Sequence, residues 1–336
     1  MHVESVPVRM NPERALLQRL IAGPATGDVL ARESGHTRAA VWKRIDALRA
    51  AGVAIEAQAG RGYALSHPLE LLDADAILAQ SSAQVRAEIA TLDIAWSLDS
   101  TNSELLRRAT PADGADVLLA ERQTGGRGRR GREWTSPLAA NLYLSIARHY
   151  SSGLARLGGL SLVAGVATVE ALRALGIDDV GLKWPNDLVV ADGGGLRKLG
   201  GLLIEGGGEH AGPVRAVLGL GLNLRMPAAF AVAIDQPWID LAALCGPDGL
   251  SRNAVAAAII EHLLITLARF DAEGLAPFLA DYRKFDMLAG REVSIQLGDT
   301  HHGGMAVGID SEGALQVRTD GAVREFHAGE VSVRRQ

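Results

Sequence analysis

The sequence predicts an α+β, multidomain chain of three parts: a winged helix-turn-helix, a central α/β unit and a small SH3-like β-barrel. Three observations carry this. Near the N-terminus, three short helical stretches precede an alternating hairpin. In the middle, apolar strand-like runs accompany a long helix of small apolar residues suited to packing on a sheet. From Gly290 onward, short alternating runs are separated by glycine and aspartate turns. The expected domains are residues 1–66, 67–285 and 286–336.

Residues 13–22 read as a helix with Leu16, Leu17 and Leu20 inward, stopped by Gly23 and Pro24. A second helix starts behind Thr26, whose hydroxyl suits an N-cap. The third is capped by Thr37, ends at Gly52 and aligns Val41, Ile45 and Leu48 on one face. Arg38, Lys43 and Arg44 fall off that face, and a hairpin turning at Ala59-Gly60-Arg61 follows. A bare three-helix scaffold for protein contacts is the plain alternative. The basic outer face and the Arg61 tip favour DNA, with the third helix, and Thr37, Arg38, Lys43 and Arg44 on it, meeting the major groove.

Charge agrees with that division. Residues 1–66 hold nine Lys/Arg against six Asp/Glu, a net +3, in a chain of 336 residues whose total is −5. The whole molecule is therefore no polyanion binder, though its N-terminal part can be. Cys245 is the only cysteine, which excludes an intrachain disulfide and a cysteine zinc site. The nine histidines show no metal-ligand spacing, and the pair His301-His302 reads as an exposed loop, so no protein metal site is expected. The start lacks a signal-peptide core, and the apolar run 254–270 is broken by Glu261 and His262. The expectation is a soluble, cytoplasmic protein without a membrane span.

After a linker-like passage at His67-Pro68 and a helix DADAILAQ, the central unit is organised around ERQTGGRGRRGREW at 121–134. Five arginines (122, 127, 129, 130, 132) alternate with four glycines (125, 126, 128, 131) between the apolar strands DVLLA and NLYLSIA. Arginine forks suit phosphate and carboxylate oxygens, and glycines let backbone N–H groups approach a ligand. A solvated basic loop is the plain alternative. The acidic total and Trp134 beside the arginines favour an anion site. The run lacks the lysine-serine ending of a P-loop, so alone it specifies an anion and nothing more.

Further along, STN at 100–102 stands at a strand-to-helix junction, and Thr101-x-x-Glu104 fits a capping box with Thr101 as cap. In VGLKWPNDLVV, Lys183 ends an apolar strand before a turn carrying Asn186 and Asp187. A lysine there is costly to bury without an anion, although strand-end lysines commonly snorkel. After Gly193, Gly194 and Gly195, Lys198 opens the strand RKLGGLLIE, and AVLGLGLN ends at Asn223. Helices fill 252–285.

With these pieces placed, the chain resembles the bacterial bifunctional biotin protein ligases over essentially its whole length. The resemblance rests on STN at 100–102, GRGRRGREW at 126–134, KWPNDL at 183–188, RKLGG at 197–201 and GLGLN at 219–223, in that order. It implies a central catalytic domain with a mixed sheet of class II synthetase type. It implies ATP and biotin as substrates, with Mg²⁺ on the pyrophosphate. Ser100, Thr101, Asn102, Gln123, Arg127, Gly128 and Arg129 would hold biotin, with Lys198 near its carboxylate. Arg132, Trp134, Asn186, Asp187, Asn223 and Arg334 would surround the nucleotide. Lys183 and Arg129 would stabilise charge during adenylation. The implied partners are the biotin carboxyl carrier protein, operator DNA and a second copy of the chain when the adenylate is bound. Residues 224–238 stand where the family's adenylate-covering loop would be, with a different, alanine- and proline-rich composition. The glycines at 193–195 lengthen the hairpin before Lys198. Three alternatives stand beside it: a ligase whose winged helix is only structural; a lipoate or octanoate transfer enzyme of related fold, against which the winged helix argues; and a transcription regulator that binds biotin without catalysis, against which the arginine loop with Lys183 argues.

Overall fold

A computed structural model describes residues 11–151, 157–208, 214–246, 251–327 and 330–333. The N-terminal part consists of α1 (Pro12–Ile21), α2 (Gly27–Ser34), α3 (Arg38–Ala50) and the antiparallel pair β1 (Ile55–Gln58) and β2 (Gly62–Leu65). Asn11, Thr26 and Thr37 cap the three helices with their side-chain oxygens. Leu17, Leu30, Ile45 and Leu48 form its core, which also takes in Leu138 and Ala139 from the central part. The Leu138 N–H donates to Ala51 O at 2.8 Å.

Beyond the linker come α4 (Ala74–Gln80), α5 (Ala83–Glu88) and a seven-stranded mixed sheet. Its strands are β3 (Ile89–Ala95), β4 (Ala115–Ala120), β5 (Leu142–Tyr150), β6 (Val180–Lys183), β7 (Asp187–Asp192), β8 (Gly195–Gly208) and β9 (Val214–Leu222). They lie in the order β3-β4-β5-β9-β8-β7-β6, parallel only between β3 and β4. Two long helices, α7 (Leu160–Ala174) and α10 (Arg252–Glu273), cover one face. α10 has the length and apolarity to cross a membrane, yet its Ile259, Ile260, Leu263 and Leu267 are buried in the core. The short α6 (Thr101–Arg107) lies across the opposite face, over β4, β5 and β9.

α11 (Leu279–Phe285) leads to five antiparallel strands: β10 (Glu292–Leu297), β11 (Thr300–Ile309), β12 (Leu315–Thr319), β13 (Ala322–Phe326) and β14 (Glu330–Val333). Their order, β13-β12-β11-β10-β14, gives the SH3-like unit. It is tied to the central part by Trp184 Nε1 donating to Gly313 O at 3.0 Å and Arg291 donating to Gly194 O at 3.0 Å.

Three local expectations change. The cap of α6 is Ser100, with extended backbone, and Thr101 is already helical. Glu104 turns to Arg107 and Arg108 instead of back to the helix start, which leaves the Thr101 hydroxyl to the interior. His301 and His302 lie on β11, not in a loop, and His302 packs on the Phe326 ring. Only Gly298 and Asp299 separate β10 from β11, so the turn is tighter than the run of polar residues implied. Lys198 lies inside β8, because the glycine hairpin starts the strand three residues earlier.

Candidate functional site

Between the arginine loop, the start of α6 and strands β5 to β9 lies a cavity of about 1030 Å³, at the top of the usual range for small-molecule sites. One wall is the arginine loop, closed on itself by Gly128 N–H to Arg132 O at 2.7 Å and Trp134 N–H to Gly126 O at 2.9 Å. The 3-10 turn Arg129–Gly131 sits at its tip, with Arg130 at φ 56°. Gly131 follows it at φ 73°, a left-handed conformation that glycine adopts freely.

Two ends of different chemistry result. At one end, polar side chains are buried and neutral. Ser100, Thr101 and Asn102 are each under 5% exposed, and Ser145 is fully buried beneath them. Gln123 Oε1 accepts the Thr101 N–H at 2.9 Å, and Gln123 Nε2 donates to Ser136 Oγ at 3.2 Å. Asn102 lies flat on Gly219, where any side chain would collide with its amide. Arg127 reaches over from the loop to Ser103 Oγ at 2.9 Å and to Glu205 at 3.2 Å. Just outside, the Asp99 carboxyl is held far below the usual carboxylate range, chiefly by hydrogen bonds from Arg107.

The other end is cationic. Lys198 Nζ lies 2.7 Å from Asp187 Oδ1, and Lys183 Nζ 3.6 Å from Asp187 Oδ2. One carboxylate thus serves two partly buried lysines. Two lysines against one carboxylate leave a net positive charge, which an anion can meet. Lys183 ends β6 opposite Asp187 at the start of β7, and Lys198 lies on the neighbouring strand β8, which brings the three together. Asn186 accepts from Arg129 Nη1 at 3.2 Å and donates to Leu202 O at 2.6 Å, so the loop is tied to the same hairpin. The Trp134 indole lies on Gly221, which has no side chain to displace it, and Lys198 Nζ sits 5.5 Å from the ring centre. The buried Trp134 Nε1 has no hydrogen-bond partner among the described residues.

The segment 224–238, with the short helix α8 (Ala228–Ala231), borders the cavity. Its two ends are fastened together by Asn223, which donates to Ile239 O at 3.2 Å and accepts from Leu241 N at 3.0 Å. Pro237 O accepts from Lys198 N at 2.9 Å, so the cavity lysine and this segment share backbone hydrogen bonds. Phe230 reaches the end of α3 at Gly52. Linker residue His67 has its pKa lowered by burial first and by Arg225 second.

The cavity therefore brings together Ser100, Thr101, Asn102, Gln123, Arg127, Gly128, Arg129, Arg132, Trp134, Lys183, Asn186, Asp187 and Lys198. Asn223 lines a small adjoining pocket with Trp134 and Lys198. Arg334 lies outside the described residues. Arg38, Lys43 and Arg44 lie far along the chain on α3, with Thr37 just before it. There Thr37 caps the helix by accepting from Ala40 N at 3.2 Å, Arg38 pairs with Asp28 at 3.3 Å, and Lys43 is exposed. Sequence reasoning missed Ser145 and Glu205. Both sit in runs that read as ordinary strands, and only a buried serine or an acid amid glycines could have flagged them. Among the described residues, no group of three or more His, Cys, Asp or Glu could hold a metal.

Comparison with known proteins agrees with this geometry. The Biotin/lipoate A/B protein ligase family matches residues 95–223, an HTH domain residues 13–64, and the Biotin protein ligase C terminal domain residues 289–334. The bifunctional ligase/repressor BirA of Escherichia coli is 40% identical over 92% of this chain and 92% of its own length. The biotin–[acetyl-CoA-carboxylase] ligase of Mycobacterium tuberculosis is 36% identical over 71% of this chain and 88% of its own. Among solved structures, the biotin protein ligase of Aquifex aeolicus in complex with biotin and ATP superposes with a TM-score of 0.60 at 26% identity, covering 74% of this chain and all of that one. The chain belongs to the bacterial bifunctional biotin protein ligases.

Proposed function

We propose that this protein is an ATP-dependent biotin protein ligase and, through its winged helix, a DNA-binding repressor governed by its own reaction intermediate. The observation that carries the first part is the two-ended cavity, with a neutral polar pocket joined to a cationic end where Lys183 and Lys198 share Asp187. Biotin is a neutral polar ring on a chain ending in a carboxylate, and such a ligand spans the two ends.

The chemistry follows from the charges. A biotin carboxylate oxygen attacks the α-phosphorus of ATP, forming the acyl–phosphate bond as the α–β bridging bond breaks and pyrophosphate leaves. Two anions must meet, so Arg129 and Lys198 offset their repulsion while Lys183 stabilises charge on the α-phosphate. Arg132, Trp134, Asn186 and Asp187 hold the nucleotide from the cationic end, with Asn223 and Arg334 completing its surroundings. The ε-amine of a carrier-protein lysine then attacks the acyl carbonyl, an amide forms, AMP departs and the amine gives up its proton. Asp187 already carries two lysines, and among the described residues no group of three or more His, Cys, Asp or Glu could hold a metal, a donor set that fits Mg²⁺ held through phosphates and water. When bound, the ion would neutralise departing pyrophosphate. On this reading the chain divides near residues 66 and 285 and works in the cytoplasm.

Incubating the protein with ATP, Mg²⁺ and either biotin or lipoate should give biotinyl-adenylate alone by mass spectrometry. Lipoyl-adenylate in greater yield would replace this reading with the lipoate alternative.

The repressor part rests on the contact of Phe230 with the end of α3 and on the +3 charge of the first 66 residues. One winged helix makes few phosphate contacts and binds weakly at physiological salt. A dimer formed when segment 224–238 closes over the adenylate would place two α3 helices on a two-fold operator. Footprinting on the organism's biotin-synthesis promoters should show protection that depends on biotin plus ATP. Protection that ignores both, or none, would leave a ligase with a structural winged helix.

A further inference from the structure

We infer that Glu205 sets the donor and acceptor pattern of the neutral pocket, and through it the preference for a ring bearing N–H groups; the inference rests on the ligase reading above. Glu205 lies on β8 opposite Val217, outside every motif that marks the site. Two donors converge on its carboxylate: Asn102 Nδ2 at 2.9 Å on Oε2, and Arg127 Nη2 at 3.2 Å on Oε1.

The consequences run inward by valence alone. The Asn102 amide nitrogen faces two groups that accept, Glu205 and the Leu203 carbonyl at 3.3 Å. This fixes which way the amide lies, an orientation that only the surrounding hydrogen bonds can decide. Asn102 Oδ1 therefore points at Ser145 Oγ, 2.6 Å away. An amide oxygen only accepts, so the single Ser145 proton goes to Asn102. The Thr101–Ser145 contact of 2.7 Å must then take its proton from Thr101. The alternative, Thr101 donating to Gln123 Oε1 at 3.2 Å, would leave two hydroxyl oxygens at 2.7 Å with no proton between them, and the shorter contact wins. Gln123 Oε1 keeps the Thr101 backbone N–H.

One directed chain results, Thr101 to Ser145 to Asn102 to Glu205. Its protons all run toward the carboxylate, so Thr101 Oγ1 and the second lone pair of Asn102 Oδ1 face the cavity as acceptors only. A cyclic urea brings two N–H donors and satisfies such a wall. A sulfur ring without N–H leaves buried acceptors unpaired, the circumstance in which a polar site rejects an analogue most strongly. Glu205 is on this account a positioning residue, acting on the ligand through Asn102, Ser145 and Thr101.

The competing role for Glu205 is to neutralise Arg127, and a binding comparison separates the two. Calorimetry on the full chain would measure biotin, lipoate and ATP separately. With Glu205→Gln, whose amide end can also donate and so lets the chain reverse, biotin affinity should fall at least about tenfold, the scale of one hydrogen bond to a charged group. Lipoate affinity and ATP affinity should stay unchanged, so selectivity falls by the same factor. Ser145→Ala interrupts the chain without touching Arg127 and should give the same selective loss, which covers the case of an unfolded Glu205→Gln. Equal loss for biotin and lipoate, or selectivity unchanged in either folded variant, overturns the proposal. A parent protein that itself fails to prefer biotin would instead overturn the ligase reading.

Discussion

Replacing Lys183 with alanine is expected to slow adenylate formation about 100- to 1,000-fold, ~2.7–4 kcal/mol, the effect of deleting one donor to a developing anion. Biotin affinity should change by less than about threefold, because the interaction is made mainly in the transition state. The geometry permits this separation. Asp187 keeps Lys198 at 2.7 Å when Lys183 is gone, so no unpaired carboxylate is left to distort the cationic end. Lys198→Ala should behave differently and raise the KM for biotin, since that lysine is assigned to the carboxylate already present before reaction. Single-turnover rates at saturating substrates, with biotin affinity by calorimetry, check both. Lost biotin binding with a normal saturated rate in Lys183→Ala would reverse the assignment.

A second large effect is expected away from the cavity, where the linker meets the catalytic part. Arg252, at the start of α10, is 8% exposed at its side chain and Glu121 1%. They pair at 2.8 Å, while Arg252 also donates to Glu70 O at 2.7 Å and Asn141 O at 2.9 Å. Glu121 Oε1 in turn accepts the Leu72 N–H at 2.6 Å. Arg252→Met would strand a buried carboxylate and should cost about 3–5 kcal/mol, read as a lower urea midpoint. Adding Glu121→Leu should recover much of that loss, because the penalty comes from the unpaired charge more than from the missing attraction. A double variant less stable than Arg252→Met alone would contradict this account.

What was legible in the sequence is what local chemistry specifies. Thr37 capping α3, the face of Val41, Ile45 and Leu48, and the strands on either side of the arginine loop follow from periods, caps and turn residues within a few positions. The cavity residues in ligand-type clusters, such as Lys183 with Asn186 and Asp187, were visible for the same reason. The exceptions are long-range. Glu205 meets Asn102 across 103 residues, and Arg252 meets Glu121 across 131. No periodicity encodes such partners; α6 sets Asn102 over β5 and β9 with Glu205 on the adjacent β8, and the packing of α10 on the sheet brings Arg252 to Glu121. Glu104, three residues on, makes Thr101 read as the cap from the sequence. Side-chain partners Arg107 and Arg108 claimed that glutamate, and Ser100 became the cap. Likewise Leu138 and Ala139 complete the winged-helix core from well beyond it, a contact only the tertiary structure supplies.

The cavity is expected to make an activated biotin that a protein lysine consumes. The direct measurement loads the enzyme with biotin, Mg²⁺ and ATP labelled in the α-phosphate, removes free nucleotide by rapid filtration, and adds the carrier domain without further ATP. The expected result is enzyme-bound labelled adenylate before the chase. After it, labelled AMP should appear in a one-to-one ratio with a carrier domain heavier by one biotin on a lysine. Retention of no labelled adenylate by the enzyme, or release of AMP without modified carrier, would contradict the central claim.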